Sequence, residues 1–270
     1  MNRMAEAKQV VLPPITDESV LKEIDRLARR YVDARGLGMD ILDRVGGGGE
    51  QLIQHLPDFL RKRIDRAVAS ALNRTFRIAS ASRGVMRDRG DWFNRLGTTA
   101  AGAIGGAAGI TGALIELPVT VTILLRAILE IADEHGLDTR DDAIRAEALR
   151  IFATGGPLDE DDATDTALLA ARLAISGRTL QSLVTRFAPQ IAARLLTKVG
   201  AQAVPVLGAV AGAGINYTFA RYYQELARVQ FGLMRLSNET GIPREALVER
   251  LQTRIKSLEQ GSVPDARPRA

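Results

Sequence analysis

A chain of 270 residues, 46% of them hydrophobic, can bury a substantial core as one helical domain or as two that share an interface. It contains no cysteine, which excludes disulfides and thiolate chemistry, and its opening MNRMAEAKQVVLPPITDESV lacks an apolar run followed by a cleavage site, so no standard signal peptide is expected. The net charge of +4 is unevenly spread: residues 61–95 hold ten basic and three acidic side chains, whereas 133–165 hold eleven acidic and three basic, which predicts one basic and one acidic region.

Few aromatics and an abundance of Ala, Leu, Arg and Gly favour helix over sheet, so the fold class is all-α. Residues 1–16 are expected to be a flexible N-terminus, 17–260 a single helical domain and 261–270 a disordered tail. Thr16 or Asp17 can cap a first helix whose apolar positions Val20, Leu21, Ile24, Leu27, Ala28 and Tyr31 follow helical spacing, with Gly36 and Gly38 expected to stop it. The four glycines Gly46 to Gly49 mark a loop; a phosphate loop would continue with lysine and a hydroxyl residue, and here Glu50 and Gln51 follow. Pro57 opens the next helix, in which an apolar stripe is flanked by Arg61, Lys62, Arg63, Arg66, Arg74 and Arg77. This basic amphipathic pattern fits a solvated face, an anionic membrane surface or nucleic acid. Nucleic acid ranks last because neighbouring acids dilute the charge and no aromatics interleave with the arginines. Trp92 and Phe93, flanked by Arg87, Arg89 and Arg95, have the composition of a membrane–water boundary.

Two stretches then run a full helix length without a charge, Leu96 to Ile115 and Val199 to Ala220. Gly102, Gly105, Gly106 and Gly109 in the first, and Gly208 and Gly212 in the second, fall at helical steps and predict a multi-helix bundle built around two glycine-rich apolar segments packed backbone to backbone. Glu116-Leu117-Pro118 is expected to interrupt the first and start another apolar helix, in which Arg126 and Glu130 stand one turn apart and which Gly136 ends. The acidic run Asp159-Glu160-Asp161-Asp162 lacks the ligand spacing of a calcium loop and reads as helix capping. Residues 168–196 read as one or two helices broken near Gly177 or Pro189. Tyr217, Phe219, Tyr222 and Tyr223 stand, like Trp92, at the charged end of an apolar helix; residues 225–236 continue it, 237–243 turn, and 245–258 form a last amphipathic helix.

The runs LDRVGGGGEQLIQHLPDFLRKRIDRAVASAL, GAIGGAAGITGALIELPVTVTILLRAILEIADEHGLD, EALRIFAT and VPVLGAVAGAGINYTFARYYQELA resemble the successive signature blocks of the bacterial EcsC protein family, over roughly residues 40–236. The resemblance carries the motif onto Gly105, Gly106, Gly109, Glu116, Pro118, Arg126, Pro205, Gly208, Gly212 and Asn216, with Glu116 standing where the family pattern often has Asp. It implies no established catalytic mechanism. It implies a membrane-linked accessory role, because the family's namesake is encoded with an ABC-type transporter.

Glu116, Arg126, Glu130 and Asn216 are polar groups in otherwise apolar helices, and a buried charge needs a partner. They read as a local ion pair with an amide bonded across a helix contact, as a binding cluster in which Glu116 is a general acid or base, or as a wet face. No cofactor and no metal site is expected: Glu130, Asp133, Glu134 and His135 include a carboxylate pair one turn apart, but the chain has only two histidines, the other, His55, is distant, and His135 beside Gly136 reads as a helix C-cap. The expected function is therefore a non-enzymatic, cytoplasmic accessory protein peripheral to the inner face of the cell membrane. Arg61, Lys62, Arg63, Arg66, Trp92 and Phe93 would touch anionic lipid or a membrane protein, the glycine faces would allow a homo-oligomer, and nucleic acid is not expected. The alternatives are a hydrolase-like enzyme using Glu116 and an integral membrane hairpin.

Overall fold

The computed structural model describes residues 15–45, 57–81, 109–154, 179–202 and 209–261, and their regular structure is helical throughout. Seven helices follow in chain order: α1 (Glu18–Val45), α2 (Asp58–Ala81), α3 (Gly109–Glu134), α4 (Asp142–Thr154), α5 (Leu180–Gln202), α6 (Ala209–Thr240) and α7 (Arg244–Gly261). The all-α bundle expected from composition is what the described residues form.

Local chemistry sets several boundaries. The Asp17 carboxylate accepts hydrogen bonds from the Ser19 and Val20 backbone N–H groups at 2.8 and 3.3 Å, capping α1. Pro57 precedes α2, and its carbonyl accepts from the N–H groups of Leu60 and Arg61. Past α3, Gly136 takes φ 73°, and the Leu137 N–H reaches back to the Ala132 carbonyl at 3.0 Å, which closes the helix end in the manner only a left-handed residue allows. Asp141 caps α4 and Thr179 caps α5.

Elsewhere burial overrides the expected breaks. Helix α1 runs through Gly36 and Gly38 instead of stopping there. A helical glycine costs about 1 kcal/mol, while Tyr31 and Ala34 are buried on the same helix and Arg35 is tied to Glu259 of α7. Helix α3 likewise continues through Pro118, so the Glu116-Leu117-Pro118 corner does not separate two helices. Proline removes one hydrogen bond, but Leu117, Val121, Leu124, Leu125 and Ile128 lie on either side of it as one buried stripe. Helix α5 passes through Pro189, which sits on its exposed side between buried Ala188 and Ile191. Helix α6 extends past residue 236 to Thr240, until Gly241 at φ 70° ends it.

Helix α6 is the hub, touching α1, α3, α4 and α7; α2 packs between α3 and α5, and α4 lies against α3, α5 and α6. The core holds large side chains. Tyr223 is fully buried, edge-on to Phe152 of α4 at 5.1 Å between ring centroids and to Tyr222 at 5.5 Å. Phe219, Tyr222 and Tyr223, expected at a membrane boundary, are therefore core residues: all three are buried, and Tyr223 meets Phe152 of α4. Helices α1 and α6 approach closely at Gly232, where a Cβ would come within 2.9 Å of Leu27 Cδ2. Gly109 and Gly212 lie within α3 and α6. Gly102, Gly105, Gly106 and Gly208, and with them most of the expected glycine-faced contact, lie outside the described residues, as do residues 1–14 and 262–270, the glycine loop, Trp92, Phe93, His55, Gly177 and the 159–162 acids.

Candidate functional site

The buried stripe of α2, formed by Ile64, Val68, Ala71, Leu72, Thr75 and Phe76, fixes the helix's rotation and sends the remaining positions outward. At about 100° per residue, Phe59, Lys62, Arg63, Arg66, Ser70, Asn73, Arg74 and Arg77 all fall within about 60° of one line opposite that stripe. The five cations among them are exposed, as is Phe59, whose surface is 69% accessible. The helix's two carboxylates, Asp58 and Asp65, lie about 100° or more from that line. Among the described residues no carboxylate lies within ion-pair distance of Lys62, Arg63, Arg66, Arg74 or Arg77. Arg61 is exposed too, but turns to another side of the helix toward Asp65, whose carboxyl is pushed up by burial against the pull of Arg61. Of the predicted membrane-surface residues, Lys62, Arg63 and Arg66 thus form one face, extended by Arg74 and Arg77.

One flank of this face borders a groove of about 660 Å³ between α2, the start of α4 and the start of α5. Arg66, Ser70, Asn73 and Arg77 line it from α2, Arg145 from α4, and Leu180 and Gln181 from the first turn of α5. Arg145 is held in place: its guanidinium lies 5.9 Å from the centre of the Phe76 ring, its Nε donates to the Thr139 carbonyl at 3.0 Å, and its Nη1 stands 3.3 Å from Asp142. Backbone N–H groups in a helix's first turn have no intrahelical acceptor. For those of Leu180 and Gln181, the described residues supply none.

A second polar constellation was missed in the sequence. Glu147 and Arg150, three residues apart on α4, are both buried, with Arg150 Nε donating to Glu147 Oε2 at 2.9 Å. Arg244, at the start of α7, donates to the same carboxylate and to Gln230 Oε1 of α6 at 2.7 Å; Arg150 Nη2 also reaches Gln230 Oε1 at 3.2 Å. Burial alone would raise the Glu147 carboxyl, but the charges of Arg150 and Arg244 and their hydrogen bonds outweigh it and hold it at about 2. With Glu147 of α4 shared by Arg150 and Arg244, and Gln230 of α6 accepting from both arginines, the cluster is a clamp between α4, α6 and α7. The available signal was a Glu and an Arg one turn apart within EALRIFAT, a segment with apolar residues on every side.

The predicted cluster is only partly described. Arg126 and Glu130 are half-buried one turn apart on α3, and neither lacks a partner. Glu116 and Asn216 lie on the helical backbones of α3 and α6, with side chains outside the described set. His135 Nδ1 donates to the Ile131 carbonyl at 2.7 Å, the expected C-cap, and burial holds its pKa below the usual histidine value, so the cap is a neutral imidazole. Among the described residues no three His, Asp or Glu side chains gather as a metal site would require, and no helix is long and apolar enough to cross a membrane. Most of the Leu96 to Ile115 stretch lies outside those residues.

The EcsC protein family model matches residues 50–236. The chain belongs to the EcsC protein family. No curated protein and no solved structure matches it. The EcsC match takes in all of α2 to α5 and most of α6, so the basic face, the groove and the α4 part of the clamp lie on the EcsC segment, while α1 and α7 flank it.

Proposed function

We propose that this EcsC protein is a non-enzymatic accessory protein that holds to the anionic inner face of the cell membrane through the outward side of α2. The observation that carries this reading is the line of five exposed cations, without a carboxylate partner among the described residues and about 22 Å long from Lys62 to Arg77, with exposed Phe59 at its end. A cation near an anionic leaflet is worth about 1 kcal/mol, so the line supplies about 5 kcal/mol, enough for reversible attachment. Phe59 adds apolar area at the depth where aromatic rings settle. The accessory role and a link to an ABC-type transporter rest on the family resemblance.

Vesicle co-sedimentation tests it. The protein should bind phosphatidylglycerol-containing vesicles at low salt and release as salt rises. Arg63→Glu with Arg66→Glu should weaken binding by about a thousandfold, since each reversal removes one attraction and adds one repulsion. Retained affinity in that variant, or binding indifferent to salt, would sink the assignment.

A further inference from the structure

We infer that the groove between α2, α4 and α5 is a recognition site for a phosphate group, seated between Arg77, Arg145 and the first-turn N–H groups of α5. This deepens the membrane reading by naming what the basic face recognises, and it has its own support. The Arg145 guanidinium lies over the ring of Phe76, the residue next to Arg77 on α2, and Arg77 and Arg145 both line the groove, so it holds cations from two different helices. Arg66 lies about 16 Å from Arg77 along α2. Arg77 has no carboxylate partner among the described residues. Arg145 is held by the Thr139 carbonyl and by Asp142, so its position does not depend on a ligand. The N–H groups of Leu180 and Gln181 add donors at the positive end of the α5 dipole. Asn73 and Ser70 place neutral hydrogen-bonding groups on the same wall. Diffuse attraction to a charged surface needs none of this; a fork of guanidinium and backbone donors suits the oxygens of a phosphate carried by a lipid headgroup or a small soluble ester.

The geometry separates site binding from net charge. Arg74 and Arg77 are exposed cations on the same helix face, but only Arg77 lines the groove. Using the full chain, we would titrate glycerol 3-phosphate by calorimetry and phosphatidic-acid vesicles by co-sedimentation, comparing Arg77→Gln with Arg74→Gln. Arg77→Gln should weaken glycerol 3-phosphate binding by about tenfold or more, the loss expected for a charge-assisted contact, and Arg74→Gln by less than about threefold; on vesicles Arg74→Gln should cost the roughly fivefold of one surface cation and Arg77→Gln about tenfold beyond that. Preference for Arg77 in both assays, or with vesicles alone, supports the groove with a lipid ligand. The same preference with glycerol 3-phosphate and no vesicle binding supports the groove with a soluble ligand and overturns the membrane reading. Equal losses from the two variants on vesicles, with no glycerol 3-phosphate binding, overturn the groove and leave the membrane reading standing. Binding of neither probe overturns both.

Discussion

Glu147→Gln isolates the buried clamp. The substitution keeps the side chain's shape and its place between helices but removes the one carboxylate that Arg150 and Arg244 share. Arg150 stays buried at 4% exposed, and the Arg244 side chain is mostly covered at 14%. The carboxyl is held at about 2 against an ordinary 4.5, a depression equivalent to about 3 kcal/mol of folding free energy. That matches the roughly 3–5 kcal/mol lost when one member of a buried ion pair is deleted. Urea unfolding at neutral pH should therefore show a lower midpoint with an unchanged slope and a loss of about 3 kcal/mol. The sign of the pH dependence follows from the same shift. A carboxylate whose folded pKa is depressed contributes fully above the unfolded value and loses its contribution as pH falls toward the folded one. The advantage of wild type over Glu147→Gln should thus be complete above about 4.5 and fade between there and about 2. A loss under about 1 kcal/mol, or a gap unaffected by acid, would show that the clamp does not hold α4, α6 and α7 together.

Two glycines of the helical framework should respond in opposite directions. Gly36 has nothing within 4 Å of where a Cβ would stand, so Gly36→Ala should raise stability by about 0.5–1 kcal/mol, read as a higher urea midpoint. Gly232→Val should lower it by about 1–3 kcal/mol or more, because the added carbons would press on buried Leu27; equal effects at the two positions would refute the close α1–α6 approach. His135, kept neutral chiefly by burial, should titrate below 6.5 in a proton NMR experiment. The unfolded chain takes up its proton first, so stability should be full above 6.5 and decline as pH falls through it, and His135→Asn should remove that decline. An imidazole titrating above 6.5 would contradict the buried cap.

The helix signals that were legible in the sequence act within a turn: the Asp17 cap, Pro57 at the entry to α2, and Gly136 past α3. Those that misled are also local, but tertiary burial decides them. Pro118 and Pro189 look like stops until the stripes that continue past them are seen packed. Aromatics beside arginines carry the same sequence signature at a membrane boundary and in a core; here α4 presents Phe152 to Tyr223, and Tyr222 is buried edge-on to Tyr223. Most of the clamp was illegible because its members stand 80 and 97 positions apart in the chain. The basic face was legible as residue types and spacing. Which of its cations act together was not, since that depends on the rotation of α2 set by α3 and α5.

Counting basic residues does not distinguish α2 from α1. Lys22, Arg26, Arg29, Arg30 and Arg35 make α1 nearly as rich in cations, yet each is matched: to Glu18, Glu23, Asp25, Glu225 and Glu259 in turn. On α6 and α7, Arg228 and Arg235 share Glu225 and Glu23 with Arg30 and Arg26 of α1 and each has a further carboxylate, Glu134 and Glu239, while Arg254 shares Asp25 with Arg29. Opposite charges a few ångströms apart cancel at distances beyond the Debye length of about 8–10 Å, so an approaching anionic surface is drawn little to these helices. The carboxylates that neutralise α1 come from α6 and α7 as well as from α1 itself, and the same contacts hold the hub together. On α2 the outward line meets no described carboxylate, so its field extends into solvent, and the direction of that field is fixed by the buried stripe behind it. A carboxylate introduced at Ser70, at the middle of the line, would give α2 the local pairing that α1 already has. It should weaken vesicle binding by more than the removal of one cation from α1, and the reverse order would refute an electrostatic role for the α2 face.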